Sequence, residues 1–237
     1  VIELTLGCAR VVFTDRHGGV SNAPFESLNL AGHVDDDPAA VDENFRRLAG
    51  RLGLIEPTEW VRPFHVHGTE VLEVATAPAG RTEADGSATT APDLPLIALG
   101  ADCAPIALAN DTAVAAIHAG WRGALDGVVE AGVAAVRKLG TGSVRAAIGP
   151  CICVRHYEFG VDALAPLVAR FGDSVAGTTN EGAPALDLPR ALHLALRAAG
   201  VDEVHDQHCC TVESVDHFSF RRDHRTGRQA VIVVKAA

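Results

Sequence analysis

The chain has 237 residues, 48% of them hydrophobic and 21% charged, which is enough apolar material for one sizeable core. No stretch approaches the roughly 18 consecutive apolar residues of a membrane span, and a formal net charge of -10 argues against general affinity for nucleic-acid polymers or anionic membranes. The opening Val1-Ile2-Glu3-Leu4 has neither a basic region nor an apolar run toward a cleavage site, so a cytoplasmic protein is expected. Cys8, Cys103, Cys151, Cys153, Cys209 and Cys210 are even in number, but a cytosolic chain of this size does not need staples, and Cys151-Ile152-Cys153 is not a redox CxxC.

Residues 8–14 read as a strand broken by Arg16-His17-Gly18-Gly19-Val20-Ser21, where two glycines allow tight turns. A helix follows over 39–52, begun by the segment 35–38. Residues 61–74 read as an extended pair or one bent strand, and regular alternation there would put His65 and His67 on one face. Residues 77–93 read as a long loop whose acidic Asp85-Gly86 tip can approach a site.

Strands are expected at 96–99, 113–117 and 144–148, and a helix from 123 to 139 closed by Gly140. A further helix ends near 171, another runs from Pro189 to 199, and 204–208, 214–220 and 230–234 read as extended. No repeat or clean linker divides the chain. The expectation is one α+β, or mixed α/β, domain over 1–237, with a mixed sheet and surrounding helices.

His67, Cys103 and His118 offer imidazole nitrogen and thiolate sulfur, which zinc takes, and three protein ligands leave a fourth position open. Separations of 36 and 15 residues (67 to 103, 103 to 118) are unlike a zinc finger; the case rests on their position beside glycines at strand ends. Taken singly, each residue also reads as an ordinary loop histidine, a buried thiol or a capping histidine. Arg16, Ser21, Arg122 and Arg221 could together hold an anion, if the fold brings them together.

Several stretches carry a family likeness. They are Arg16-His17-Gly18-Gly19-Val20-Ser21 with Ser27-Leu28-Asn29-Leu30, Val66-His67-Gly68, Ala101-Asp102-Cys103-Ala104-Pro105-Ile106, His118-Ala119-Gly120-Trp121-Arg122-Gly123, Ile148-Gly149-Pro150-Cys151-Ile152 with Tyr157-Glu158, and Cys210-Thr211 followed by Phe218-Ser219-Phe220-Arg221-Arg222-Asp223. In order and over most of its length, the chain resembles the multicopper polyphenol oxidoreductase (laccase) family, also called YfiH-like, some of whose members are described as purine nucleoside phosphorylases.

The resemblance implies that His67, Cys103 and His118 hold a metal, zinc first and copper as the alternative. A Gln often seen two residues before the ligand histidine is His65 here, which leaves open a fourth metal contact or a changed wall. It also implies phosphorolysis of adenosine, inosine, guanosine or methylthioadenosine, with adenosine deamination, by a monomer or weak homodimer.

For that chemistry Asp102 is a candidate for orienting water or moving a proton, or else for buttressing its loop. Arg16 and Ser21 are the first candidates for phosphate, and Arg122 and Arg221 the next. Cys151 is a candidate lining residue, with a buried structural thiol the preferred reading, and Phe220 and Cys210 are candidate walls of a purine pocket. Two other functions stay open: a copper-dependent polyphenol oxidase, for which the chain lacks the several HxH and HCH clusters of a multicopper centre, and a metal-stabilised binding protein.

Overall fold

The computed structural model describes residues 1–236. In chain order the elements are β1 (Ile2–Leu6), β2 (Ala9–Phe13), α1 (Pro38–Leu52), β3 (Val71–Glu73), β4 (Gly86–Thr89), β5 (Leu96–Gly100), β6 (Ala104–Ala109), β7 (Val114–Ala119), α2 (Trp121–Asp126) and α3 (Val128–Leu139). There follow β8 (Arg145–Ile148), α4 (Val161–Phe171), β9 (Ala176–Thr178), β10 (Pro184–Leu186), α5 (Leu188–Ala198), β11 (Val204–Asp206), α6 (Phe220–Asp223) and β12 (Gln229–Lys235).

An antiparallel sheet of order β1-β2-β12-β5 faces a six-stranded sheet of order β11-β8-β6-β7-β4-β3, antiparallel in its middle and parallel at both edges. Period-two alternation sorts the side chains into layers. Val11, Phe13, Val231 and Val233 of the first sheet meet Ala107, Ala109, Val114 and Ala116 of the second in one buried cluster. The small side chains on the second sheet leave room for the larger ones opposite. Gly149 shows how tight this is, because a Cβ there would lie 2.3 Å from the Phe13 ring.

The opposite parity packs outward. Val12, Ile97 and Ile232 meet Val41, Phe45, Leu48 and Leu52 of α1, while Ile106, Leu108 and Ile117 meet Val129, Val133 and Val136 of α3 and Leu192 and Leu196 of α5. Two sheets between helices are therefore the expected mixed α/β class, with helices on both outer faces. Helix α1 begins where Asp37 accepts from the Ala39 N–H at 2.9 Å and ends at Gly53 with φ 65°, the left-handed conformation that suits glycine.

Several local expectations change. The helix over 123–139 is two helices, starting earlier at Trp121 and broken at Gly127, whose φ of 106° ends α2. Residues 77–93 include β4, buried along its whole length, and 61–74 contain only the short β3, because His67 adopts φ 61° and interrupts regular alternation. Residues 214–220 form a turn, tied by Ser214 Oγ to His217 Nδ1 at 2.8 Å and ended by Ser219 capping α6, instead of an extended segment. Strands β1, β6, β9 and β10 are additional.

Leu48, 1% exposed, anchors α1 on the first sheet. Leu48→Ala is expected to destabilise the protein by about 2–5 kcal/mol, read as a fall in the urea midpoint, while metal content at the distant site is retained.

Candidate metal centre

Strands β6 and β7 pair with Pro105 opposite His118, which sets Cys103, just before β6, beside the end of β7. Strand β4 pairs with the other edge of β7, Gly86 opposite Ile117, and the His118 N–H donates to the Asp85 carbonyl at 2.7 Å. His67 comes from the loop entering β3. The donor atoms of His67, Cys103 and His118 all lie within 4.8 Å of one another, with Cys103 Sγ 3.8 Å from His67 Nε2.

The Asp85 carboxylate organises this convergence. It accepts from the backbone N–H groups of Val66 (3.2 Å), His67 (2.9 Å) and Gly68 (2.6 Å), and its Oδ1 lies 2.8 Å from His118 Nδ1. Burial opposes the Asp85 charge, but the bonds from His118 and Gly68 outweigh it and hold the carboxyl below its usual range. With Nδ1 turned to Asp85, His118 presents Nε2 to the site.

Burial also works against charge on Cys103 and His118, and their mutual attraction overrides it. Next to His118, and hydrogen-bonded by both histidines, the Cys103 thiol falls to about 6; next to the Cys103 sulfur and Asp85, His118 rises to about 9. A thiolate and two imidazoles are the donors a zinc or copper ion takes. Gly120 provides the space: a Cβ there would stand 2.9 Å from Cys103 Sγ and 3.0 Å from His67 Cδ2. The residues present thus fit a three-ligand metal centre.

His65 completes a wall. Its Nε2 accepts from the Leu99 N–H at 3.0 Å, so Nδ1 carries the proton and donates to the Ala84 carbonyl at 3.1 Å. Both nitrogens are engaged with backbone, and the ring stacks on His118 at 4.7 Å. Burial first, then the neighbouring His118 charge, push its pKa down to about 3, so it stays neutral.

The centre opens into a cavity of about 370 Å³ whose lining includes Asp102, Ile152, Tyr157, Phe220, Arg221, Arg228 and His33. The Arg221 guanidinium donates to the carbonyls of His156 and Glu158, both at 3.2 Å, and lies 5.1 Å from the Tyr157 ring; Arg228 lies 5.9 Å from Phe220. Burial raises the Tyr157 pKa, keeping the hydroxyl protonated as a donor. Asp102 accepts from Thr211 Oγ1 and from the Arg221 N–H, both at 2.6 Å.

Other sequence candidates lie outside the cavity lining. Arg16 donates to the Glu26 carbonyl and covers Phe218, buried Ser21 donates to Asp36 and accepts from Asn44, and Arg122 packs over Trp121. Cys151 and Cys210 are buried and pair as an isolated bridge between segments, and burial followed by the charge of Asp206 pushes the Cys151 thiol well up, as a structural thiol requires. Sequence reading did not single out His33 or Arg228, which no motif marks, and noted Tyr157 only within a matching stretch.

Fold and site define an α/β two-sheet protein with a Cys-His-His cluster able to coordinate a metal ion, beside a cavity, as an enzyme has. The chain belongs to the multi-copper polyphenol oxidoreductase laccase family, whose model matches residues 10–236. It is similar to purine nucleoside phosphorylase ORF3 of Streptomyces griseus, with 43% identity over 234 residues, 94% of this chain and 93% of that protein. Its fold is similar to those of the Neisseria meningitidis protein NMB0706 (TM-score 0.90, 32% identity, 99% of both chains) and YlmD from Geobacillus stearothermophilus (TM-score 0.87, 32% identity, 98% of this chain and 93% of that one). No helix among the described residues is long and apolar enough to cross a membrane.

Two outcomes are expected. Asp85→Asn removes the charge that orients His118 and lowers metal affinity by about 10–100-fold, measured by competition with a chromophoric chelator. In chelator-stripped protein the depressed Cys103 pKa contributes stability above the thiol's unfolded value, lost as pH falls through about 6; the raised His118 pKa contributes below the unfolded imidazole value, lost as pH rises through about 9. The pair therefore persists between these limits, and ultraviolet thiolate absorbance, absent in Cys103→Ser, should disappear on acidification through the lower one.

Proposed function

We propose that this protein is a purine nucleoside phosphorylase that uses phosphate to cleave adenosine, inosine, guanosine or methylthioadenosine, and also deaminates adenosine, with zinc at His67, Cys103 and His118. The observation that carries the proposal is the single cavity of about 370 Å³ joining that centre to two guanidinium groups and two aromatic rings. The name borne by the Streptomyces griseus relative supports it.

In this reading Arg221 and Arg228 hold phosphate, replacing Arg16, Ser21 and Arg122 in that role, because they face the cavity and offer paired donors. Phe220 and Tyr157 sandwich the flat base, and the Tyr157 hydroxyl donates to a base nitrogen as the glycosidic electrons move into the ring. Asp102, both of whose oxygens already accept hydrogen bonds, is a positioning residue: it fixes the backbone of Arg221 beside the Cys103 turn. Zinc held by His67, Cys103 and His118 would supply Lewis acidity beside the bound substrate.

A copper-dependent polyphenol oxidase is the second reading, carried by the family's description and by a Cys-His-His donor set that copper also accepts. Reducing oxygen to water takes four electrons, more than one three-ligand centre supplies, which favours the nucleoside reading.

Zinc-loaded and copper-loaded protein should be given adenosine with and without phosphate, the products separated, and oxygen uptake followed with a phenol. Adenine and ribose 1-phosphate are expected only with phosphate, inosine separately from deamination, with turnover lost in His118→Ala. Arg228→Ala should raise the KM for phosphate by about 10–100-fold, the effect of losing one charged contact. Oxygen uptake by the copper form without base release at full zinc occupancy would establish the second reading; neither reaction would leave a metal-stabilised binding protein.

A further inference from the structure

We propose a second metal site, formed by Cys153, Cys210 and Glu213, that takes a zinc-class divalent cation. It shares no ligand with the first centre, and it does not depend on the nucleoside reading.

The donors come from two segments held together by backbone. Cys151 and Cys210 form a parallel bridge, with the Cys151 N–H donating to the Cys209 carbonyl at 3.1 Å and the Thr211 N–H to the Cys151 carbonyl at 3.1 Å. This pairing needs no thiol, so the sulfurs of Cys153 and Cys210 are not required to hold the segments. The two sulfurs and a Glu213 oxygen nevertheless lie within 4.8 Å of one another.

The spacing suits an ion. Tetrahedral zinc, with bonds of about 2.3 Å to sulfur and 2.0–2.2 Å to oxygen or nitrogen, sets its ligands roughly 3.3–3.8 Å apart. Cys153 Sγ stands 3.9 Å from Glu213 Oε1, and His156 Nε2 lies 3.0 Å from the same oxygen as a fourth donor within reach of a small rotation. The Cys153 N–H donates to Cys210 Sγ at 3.3 Å, the kind of backbone bond to sulfur that supports a thiolate ligand. Cys210 is buried, Cys153 half-buried and Glu213 exposed, which leaves a solvent side through which an ion can arrive.

Arg155 occupies Glu213, donating to each oxygen at 2.8 Å. The pair is exposed, and exposed pairs contribute little. Oε2 accepts only from Arg155 and keeps a lone pair, so Arg155 can orient the carboxylate without excluding the ion. Binding releases the two thiol protons to solvent, and no oxidant is involved.

An ion here would tie the segment carrying Ile152 and Tyr157 to the one carrying Thr211, whose hydroxyl holds Asp102. The first of these segments lines the cavity and the second holds Asp102, which does, so the second site would brace the first.

The full chain, reduced and stripped, should be reloaded with zinc, desalted, and its metal counted by mass spectrometry. Wild-type protein is expected to retain about two ions per chain, and Cys153→Ser and Glu213→Gln about one each. Cobalt should give thiolate-to-metal absorption that survives in Cys103→Ser and weakens in Cys153→Ser. Circular dichroism checks folding, and because Glu213 is exposed its variant decides the matter should Cys153→Ser unfold. One ion per chain in wild type, unchanged by Cys153→Ser or Glu213→Gln, would overturn the proposal. So would a Cys153–Cys210 disulfide in the isolated protein whose reduction produces no additional zinc uptake.

Discussion

A carboxylate sealed from water must find donors inside the protein, and Asp85, with no exposed surface, finds four. Three are successive N–H groups of residues 66–68 and the fourth is the ring of His118. Satisfying that one charge fixes two of the candidate metal ligands together. The left-handed backbone of His67, a conformation that costs a non-glycine residue about 1–2 kcal/mol, is held by bonds on its own N–H and on both neighbours. His118 is held in the tautomer that leaves Nε2 free.

The third ligand depends on how the two sheets are joined. Strand β5 ends at Gly100 in the first sheet and β6 begins at Ala104 in the second, so residues 101–103 are the whole crossover between them. Cys103 sits on that crossover, and Asp102, with φ 98°, is held there by Thr211 and by the Arg221 backbone. The site is therefore built at the seam of the sandwich, where strand ends supply ligands and the alanine-rich interface behind them gives a stiff base. The wall facing the seam, from Ile152 to Tyr157 and from Phe220 to Arg228, comes from loops and one short helix, which is where a binding surface can vary without disturbing the sheets.

How much of this could be read from residues alone follows the physics of each element. Strands β2, β5, β7 and β12 are apolar runs and were legible as such. Strand β4, Gly-Ser-Ala-Thr, is buried throughout yet looks like a loop, because its burial comes from sheet neighbours and not from its own hydrophobicity. Strand β6 hides behind Pro105 and three small alanines. The candidate metal cluster was legible because reactive side chains stood beside glycines at strand ends. The phosphate candidates show the opposite case: the Arg16–Ser21 stretch is distinctive because it packs tightly, a Cβ on Gly19 falling 2.1 Å from the Ser27 carbonyl, and Ser21 spends its hydroxyl on Asp36 and Asn44. An unusual motif marks a constraint without saying whether the constraint is chemical or steric. Arg228 lies in no such motif, and only the return of the chain toward β12 places it in the cavity.

The cysteines show one side chain in opposed environments. Cys103 lies against a histidine whose positive charge is itself held by Asp85, and its thiol is pulled down although burial opposes the charge. Cys151 has burial and the negative Asp206 acting on it, and Cys153 has burial and the Cys210 thiol, which push Cys153 up to about 12. Since the thiolate is the reactive form, oxidants and alkylating agents at neutral pH are directed to Cys103 before Cys151 or Cys153. An ion on Cys103 occupies the same lone pairs those reagents need. The electrostatics that suit Cys103 to a metal also make it the most vulnerable of these thiols, so a metal held there would protect the cluster as well as complete it.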